Sequence, residues 1–257
     1  MIKDFYKYQG TGNDFILIDD RGNEFDIEDN VLISELCARR IGIGADGLIL
    51  LRNHARLDFE MVYFNSDGFQ SSMCGNGGRC IVHFAHLLGL FEERTTFMAI
   101  DGEHKAIINK EEISIRMQDV KKISSVNDGY VLDTGSPHYV VFVENLSDLD
   151  VNLEGKKIRN LKLFAKEGIN VNFLLNSSDI QVRTYERGVE SETLSCGTGV
   201  VASAIAAHYN DIVHENTVNI NTKGGSLVVD FEVFNNIYRN IWLTGNVNLV
   251  YAGEFEC

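Results

Sequence analysis

The chain carries one short pattern twice, each time centred on a cysteine. Residues 73–79 read Met-Cys-Gly-Asn-Gly-Gly-Arg, with Cys74 and Gly75, and residues 195–200 read Ser-Cys-Gly-Thr-Gly-Val, with Cys196 and Gly197. At this offset, from position 74 to position 196, the upstream segments also align without a gap, Asp58–Met73 on Ile180–Ser195, with Tyr63 on Tyr185. At nearly the same spacing Thr11-Gly12-Asn13 falls on Thr134-Gly135-Ser136, Gly42-Ile43 on Gly168-Ile169, and Asp101-Gly102 on Lys223-Gly224. Landmarks that repeat at nearly one offset mark a duplication. A chain of 257 residues can fold as one large domain or as two of ~125 residues each, and the duplication selects two. The expected halves are residues 1–118 and 119–245. The final strand, within 246–257, has no counterpart in the first copy's order and is expected to cross back and complete the first half.

Each copy runs in the same order. A Thr-Gly turn precedes an apolar strand (Phe15–Ile18; Tyr139–Val143), and a helix-like stretch follows (about 29–40; about 156–167). Gly-Ile then introduces a second strand (Leu48–Leu51; Phe173–Leu175), an alternating third (Phe59–Phe64; Ile180–Tyr185), and the Cys-Gly turn. A second helix follows, Gly77–Leu88 ended by Gly89 in one copy and Gly199–Tyr209 ended by Asn210 in the other. Neither has a polar face: Val200, Val201, Ala202, Ala204, Ile205, Ala206 and Ala207 circle the axis. A helix apolar all round is surrounded by protein, and the rest of each copy is strand-like. The expected fold is therefore α+β: two pseudo-symmetric β-rich halves, each a curved mixed sheet or barrel wrapped around a central buried helix, with the site in a cleft between them.

Bulk properties exclude some function classes. The net charge of −14 argues against nucleic acid, whose phosphates need a basic surface. No apolar run approaches the ~18 residues needed to span a membrane. The start, Met-Ile-Lys-Asp-Phe-Tyr-Lys-Tyr, lacks a secretory apolar core, so the cytosol is the expected location. Five cysteines, with no CxxC pair, read as free thiols in a reducing compartment. Cys80, His83 and His86 have the nearest approach to metal-ligand spacing, but they lie in an apolar stretch and read as packed side chains; no metal site is expected.

The Cys-Gly-x-Gly turn follows a strand and opens a helix. Backbone N–H groups at a helix N-terminus have no intrahelical acceptor and carry about half a positive charge from the dipole, which makes them an anion site. A thiol on that turn gains thiolate character. Two such turns facing each other would hold one carboxylate and set a sulfur on each face of the attached carbon. Inverting the α-carbon of an amino acid needs that arrangement: a base on one face, an acid on the other, and positioned donors for the carbanion. No metal or other cofactor is then required. The bland alternative makes both cysteines small buried hydrophobes at glycine-rich turns.

At these residues the sequence resembles the diaminopimelate epimerases, within the wider group that includes the proline racemases. The resemblance covers essentially the whole chain, from Gly10-Thr11-Gly12-Asn13-Asp14-Phe15 to the last strand. It is most specific at Asn65-Ser66-Asp67-Gly68 with Met73–Arg79, at Tyr185-Glu186-Arg187-Gly188 with Cys196–Gly199, and at Gly135-Ser136-Pro137-His138. It implies interconversion of LL- and meso-2,6-diaminopimelate on the route to lysine and peptidoglycan, by a homodimer. Cys74 and Cys196 would be the acid/base pair. His138 and Glu186 would set the protonation and orientation of the thiols. Gly75-Asn76 and Gly197-Thr198 would donate N–H groups to the reacting carboxylate. Asn13, Asn65, Ser136, Asn170, Glu186 and Arg187 would bind the substrate, mostly at its distal end. The chain departs from the family in having Ser136 where Asn is common and Gly47 where many members have Gln. The rival readings are a racemase or epimerase of another amino acid such as proline or hydroxyproline, and a non-enzymatic binding relic of the fold.

Overall fold

The computed structural model describes residues 2–175, 177 and 180–256. The chain divides into two compact units, residues 1–115 with 245–257, and residues 116–244.

The first unit contains β1 (Ile2–Gly10), β2 (Asn13–Asp19), α1 (Asn30–Cys37), β3 (Gly47–Arg52), β4 (Phe59–Asn65), α2 (Gly75–Leu87), β5 (Arg94–Ala99), β6 (Gly102–Asn109) and β7 (Glu112–Arg116). β2 and β3 pair in parallel, Phe15 opposite Gly47, and α1 makes the crossover between them. β1 and β4 flank this pair antiparallel, and β5 joins β4 in parallel through Phe59 and Phe97. Apolar residues fill both faces of β2 and β3 because helices cover both, as parallel crossover strands require. On the outer face Ile16, Ile18, Leu48, Leu50, Val62 and Phe64 pack with Ile33 and Leu36 of α1. On the inner face the sheet curls around α2, which is buried almost throughout its length.

The second unit contains β8 (Ile123–Val126), β9 (Gly129–Asp133), β10 (Pro137–Val143), α3 (Val151–Arg159), β11 (Asn170–Leu175), β12 (Gln181–Glu186), β13 (Ser191–Thr193), α4 (Gly197–Tyr209), β14 (Thr217–Thr222), β15 (Gly225–Phe234) and most of β16 (Ile237–Asn246). Its pairing repeats that of the first. β10 and β11 are parallel with His138 opposite Asn170, β9 and β12 flank them antiparallel, and β14 joins β12 in parallel. α3 packs with Tyr139, Val171, Phe173 and Tyr185 on the outer face, while α4 fills the inner one. The last strand, β17 (Asn248–Glu256), pairs antiparallel with β1 from Ile2–Glu256 to Gln9–Asn248. It has a counterpart after all: β8 lies against β9 as β17 lies against β1. No helix among the described residues is long and apolar enough to cross a membrane.

Several local readings shift. α1 and α3 are shorter or earlier than expected because each starts at an aspartate cap: Asp29 accepts from Leu32 N–H (2.9 Å) and Asp150 from Leu153 N–H (3.0 Å). Residues 161–167 form turns rather than the end of a helix. α2 and α4 begin two residues earlier, at Gly75 and Gly197, with the cysteines themselves as N-caps. Strand register also moves one landmark. Leu48 pairs with Phe64 where Val171 pairs with Tyr185, so Phe64, not Tyr63, is the counterpart of Tyr185. A one-residue slip exchanges the faces of a strand. Tyr63 accordingly faces inward against Phe15 (centroids 6.0 Å apart), while Tyr185 faces α3 at Gly155. In the hairpin after each helix, the glycines with positive φ are Gly102 and Gly225, so the aligned Gly224 is off by one.

Candidate active site

Cys74 and Cys196 hold the same local position. Each has an extended backbone (φ −93°, ψ 132°; φ −121°, ψ 110°), and its C=O accepts the first helical bond, from Gly78 at 2.7 Å and from Val200 at 2.9 Å. The N–H groups of Gly75-Asn76 and Gly197-Thr198 therefore sit in the first turn, where a helix offers them no acceptor.

Around Cys74 the partners form a chain of amides held by charges. The Cys74 thiol donates to Asn13 Oδ1 (3.6 Å), and Asn76 Nδ2 donates to the same oxygen (3.4 Å). Asp46 sets the orientation of the Asn13 amide, its carboxylate accepting from Nδ2 at 2.6 Å. Arg79 orients Asn76, donating from Nη2 to Oδ1 (2.9 Å) and to Thr11 Oγ1 (3.2 Å), and from Nη1 to the Gly75 C=O (3.3 Å). Arg79 is fully buried, its Nε has no acceptor, and among the described residues no carboxylate pairs with it. Outside this chain Asp14 pairs with Lys7 (2.7 Å) and Arg39 (2.6 Å), and Arg39 reaches Asp46 (2.8 Å). Burial works to raise the Asp14 carboxyl, but Arg39 and Lys7 prevail and hold it at about 2. Asn65 ends β4 at a turn, its N–H donating to Phe69 O and its C=O accepting from Gly68.

Around Cys196 the partners are different. Cys196 Sγ lies 3.5 Å from Thr198 Oγ1, which lies 2.9 Å from His138 Nε2. On the other side of the ring, His138 Nδ1 accepts from Asn172 Nδ2 (3.0 Å); that amide also donates to the Tyr139 C=O (3.2 Å) and accepts from Thr184 Oγ1 (2.9 Å). His138, Asn172 and Thr184 are buried, and burial, with the Arg187 charge second, pushes the imidazole down to about 3. A second cluster adjoins it: Asn170 Nδ2 donates to Ser136 Oγ (2.9 Å), Arg187 Nη2 donates to the same hydroxyl (3.3 Å), and Asn170 Oδ1 accepts from the Arg187 N–H (2.8 Å). Glu186 ends β12, next to Arg187 in the chain.

In each unit the structure thus gathers most of the residues singled out from sequence: Asn13 and Asn76 with Cys74; His138 and Thr198 with Cys196; Ser136 and Asn170 with Arg187. It adds Thr11, Asp46 and Arg79 in one unit and Asn172 and Thr184 in the other. Asn172 had a legible signal, a polar residue two positions after Asn170 inside an apolar strand. Two cysteines lie apart from this chemistry. Burial pushes Cys37 up to about 12 and raises Cys80 as well, which favours the protonated thiol in both. His83 and His86 bond Tyr8 OH (3.1 Å) and Phe91 O (3.2 Å), in keeping with packed side chains.

The fold recurs in solved structures. A phenazine biosynthesis protein of the PhzF family from Bacillus anthracis superposes with a TM-score of 0.75 at 15% identity, over 100% of both chains. A hydroxyproline epimerase from Agrobacterium vitis superposes with a TM-score of 0.69 at 14% identity, over 98% of this chain and 92% of that one. These likenesses define the fold class, a two-half architecture in which each half is built around an inner helix. The diaminopimelate epimerase family profile matches residues 5–123 and 130–250. A diaminopimelate epimerase of Flavobacterium psychrophilum is 53% identical over 96% of this chain and 97% of its own length. That of Chlorobaculum tepidum is 43% identical over 95% and 98%. The chain belongs to the diaminopimelate epimerase family.

Proposed function

We propose that this isomerase interconverts LL- and meso-2,6-diaminopimelate by inverting one α-carbon with two thiols and no cofactor. The observation that carries the reading is the duplicated turn: in each unit a cysteine caps a buried helix whose first-turn N–H groups favour an anion. The names of the relatives support the substrate. In the reaction a thiolate on one face takes the α-hydrogen, breaking the Cα–H bond. The pair of electrons left on carbon delocalises into the carboxylate, which the first-turn N–H groups stabilise. The thiol on the opposite face then delivers its proton to the carbon, and the two sulfurs end with their protonation exchanged. His138 and Glu186 tune the thiols. Arg187, Asn170, Ser136, Asn13 and Asn65 hold the substrate, mainly at its unreacted ammonium-carboxylate end. The protein is proposed to act as a cytosolic homodimer, supplying lysine and peptidoglycan synthesis.

The test is incubation of the reduced protein with LL-diaminopimelate, with chiral chromatography of the product. The meso isomer is expected, and in heavy water early product should hold deuterium at the inverted carbon while unreacted substrate stays largely unlabelled. Activity on proline or hydroxyproline instead would overturn the substrate. Equal early labelling of substrate and product would overturn the two-thiol step.

A further inference from the structure

Behind Cys196 lies a buried polar network that the fold itself does not require. The first unit supplies the control. By strand register, Phe15 stands opposite Gly47 as His138 stands opposite Asn170, and Ile49 opposite Tyr63 as Asn172 opposite Thr184. The same three inner-face places therefore hold Phe15, Ile49 and Tyr63 in one copy and His138, Asn172 and Thr184 in the other. The contacts of the helices agree. A Cβ placed on Gly77 would meet Ile49 Cδ1 at 3.1 Å and Phe15 Cε1 at 3.4 Å, whereas one on Gly199 would meet Asn172 Oδ1 at 2.3 Å. Apolar residues satisfy this architecture, and buried polar groups cost free energy unless every bond is made.

The direction of each hydrogen bond follows from the partners. The Tyr139 carbonyl can only accept, so the group of Asn172 that faces it is the NH₂, and this NH₂ also donates to His138 Nδ1. A ring nitrogen that accepts carries no proton, so the imidazole is neutral with its hydrogen on Nε2. Nε2–H then donates to Thr198 Oγ1. The hydroxyl of Thr198, having accepted from Nε2–H, is free to donate its hydrogen to Cys196 Sγ at 3.5 Å. Burial favours the neutral form of the ring, and the positive charge of nearby Arg187 acts in the same direction.

We infer that Asn172 is a positioning residue for the reaction at Cys196: it locks His138 as the neutral Nε2–H tautomer, so that Thr198 presents a hydroxyl donor to the Cys196 sulfur. The inference rests on the two-thiol reading only for its effect on rate. The tautomer itself is read independently of activity.

The first test needs no variant. In protein labelled with ¹⁵N-histidine, the His138 resonances, assigned by their loss in His138→Gln, should show one neutral tautomer protonated at Nε2 at pH 7. A proton on Nδ1, or on both nitrogens, overturns the inference. Asn172→Leu keeps roughly the shape but removes donor and acceptor, leaving the apolar character that Ile49 has at the matching place of the first unit. It should leave His138 in a mixture of tautomers and lower kcat by roughly 10–100-fold, as when the group holding the far nitrogen of a metal-bound histidine is removed, with KM within about twofold. Asn172→Asp, whose carboxylate can only accept, should move the proton to Nδ1 or charge the ring. Thr198→Val on top of Asn172→Leu should cost little more than either alone, because both act through one chain. Wild-type kcat in folded Asn172→Leu, or additive losses in the double variant, would sink the proposal. If wild type fails to epimerise but the tautomer is as stated, it is the reading of function that fails.

Discussion

The two units share strand order, crossover helix and a cysteine-capped inner helix, yet the surroundings of their thiols have opposite chemistry. Beneath Cys74 the sheet is apolar at Phe15 and Ile49, and the polar groups gather in front, around Asn13, Asn76 and the buried guanidinium of Arg79. Beneath Cys196 the sheet itself is polar, at His138, Asn172 and Thr184, while Val201 stands where the repeat sets Arg79. Duplicated backbone thus delivers two thiols in matching positions, and side chains then make them inequivalent. One is joined through Asn13 and Asn76 to a buried guanidinium, the other through Thr198 to a buried histidine. An isomerase that runs both ways needs two groups able to exchange roles, but not identical surroundings for them.

The largest effect should come from the feature that the copies share. On the proposed two-thiol mechanism, Cys74→Ala and Cys196→Ala should each lower epimerisation by ~10³–10⁴-fold with substrate binding largely kept, since each thiol would serve one face. Substantial activity in either variant, measured by chiral chromatography, would break the symmetric half of the comparison. Exchanging environments comes next. Ile49→Asn puts an amide where Phe15 stands in place of His138, and should cost about 3 kcal/mol in denaturant unfolding. A cost below about 1 kcal/mol would mean that the inner face of the first unit tolerates polarity as the second does.

The charge-held side of the comparison is open to titration. The Asp14 carboxyl is depressed in the folded protein, so its contribution is present above its unfolded value and is lost as pH falls from about 4 towards about 2. Asp14→Asn should therefore destabilise by about 2 kcal/mol at pH 7 and by progressively less in acid. A pH-independent difference would assign the loss to packing. His138 has the same sign of pH dependence: its folded value lies below its unfolded one, so acid also penalises the second unit. The smallest effect should separate two glycines. Gly199→Ala must displace the buried Asn172 oxygen and should destabilise by about 1–2 kcal/mol net. Gly77→Ala meets only side-chain carbons at 3.1 Å and beyond, and the ~1 kcal/mol that Ala gains over Gly in a helix should bring it close to neutral. Equal effects would show that the two inner faces are packed alike.

Much of this was legible in residue order alone. The doubled Cys-Gly motif, the all-round apolar helices and the repeated order of strands establish the two-half α+β fold. They also single out Cys74 and Cys196 as the candidate thiols, because periodicity and spacing are properties of the chain. Motif resemblance brought in Asn13, His138, Asn170 and Arg187. Tertiary structure decided the rest, since it depends on which distant strands lie side by side. Pairing β11 between β10 and β12 joins Asn172 to His138 and Thr184, residues 34 and 12 positions away. Pairing β17 with β1 places the last strand in the first unit, far from its neighbours in sequence. Register assigned Tyr63 and Tyr185 to opposite faces, although they align in sequence. A strand's side chains alternate every residue, so alignment to within one position finds the strand and not its face.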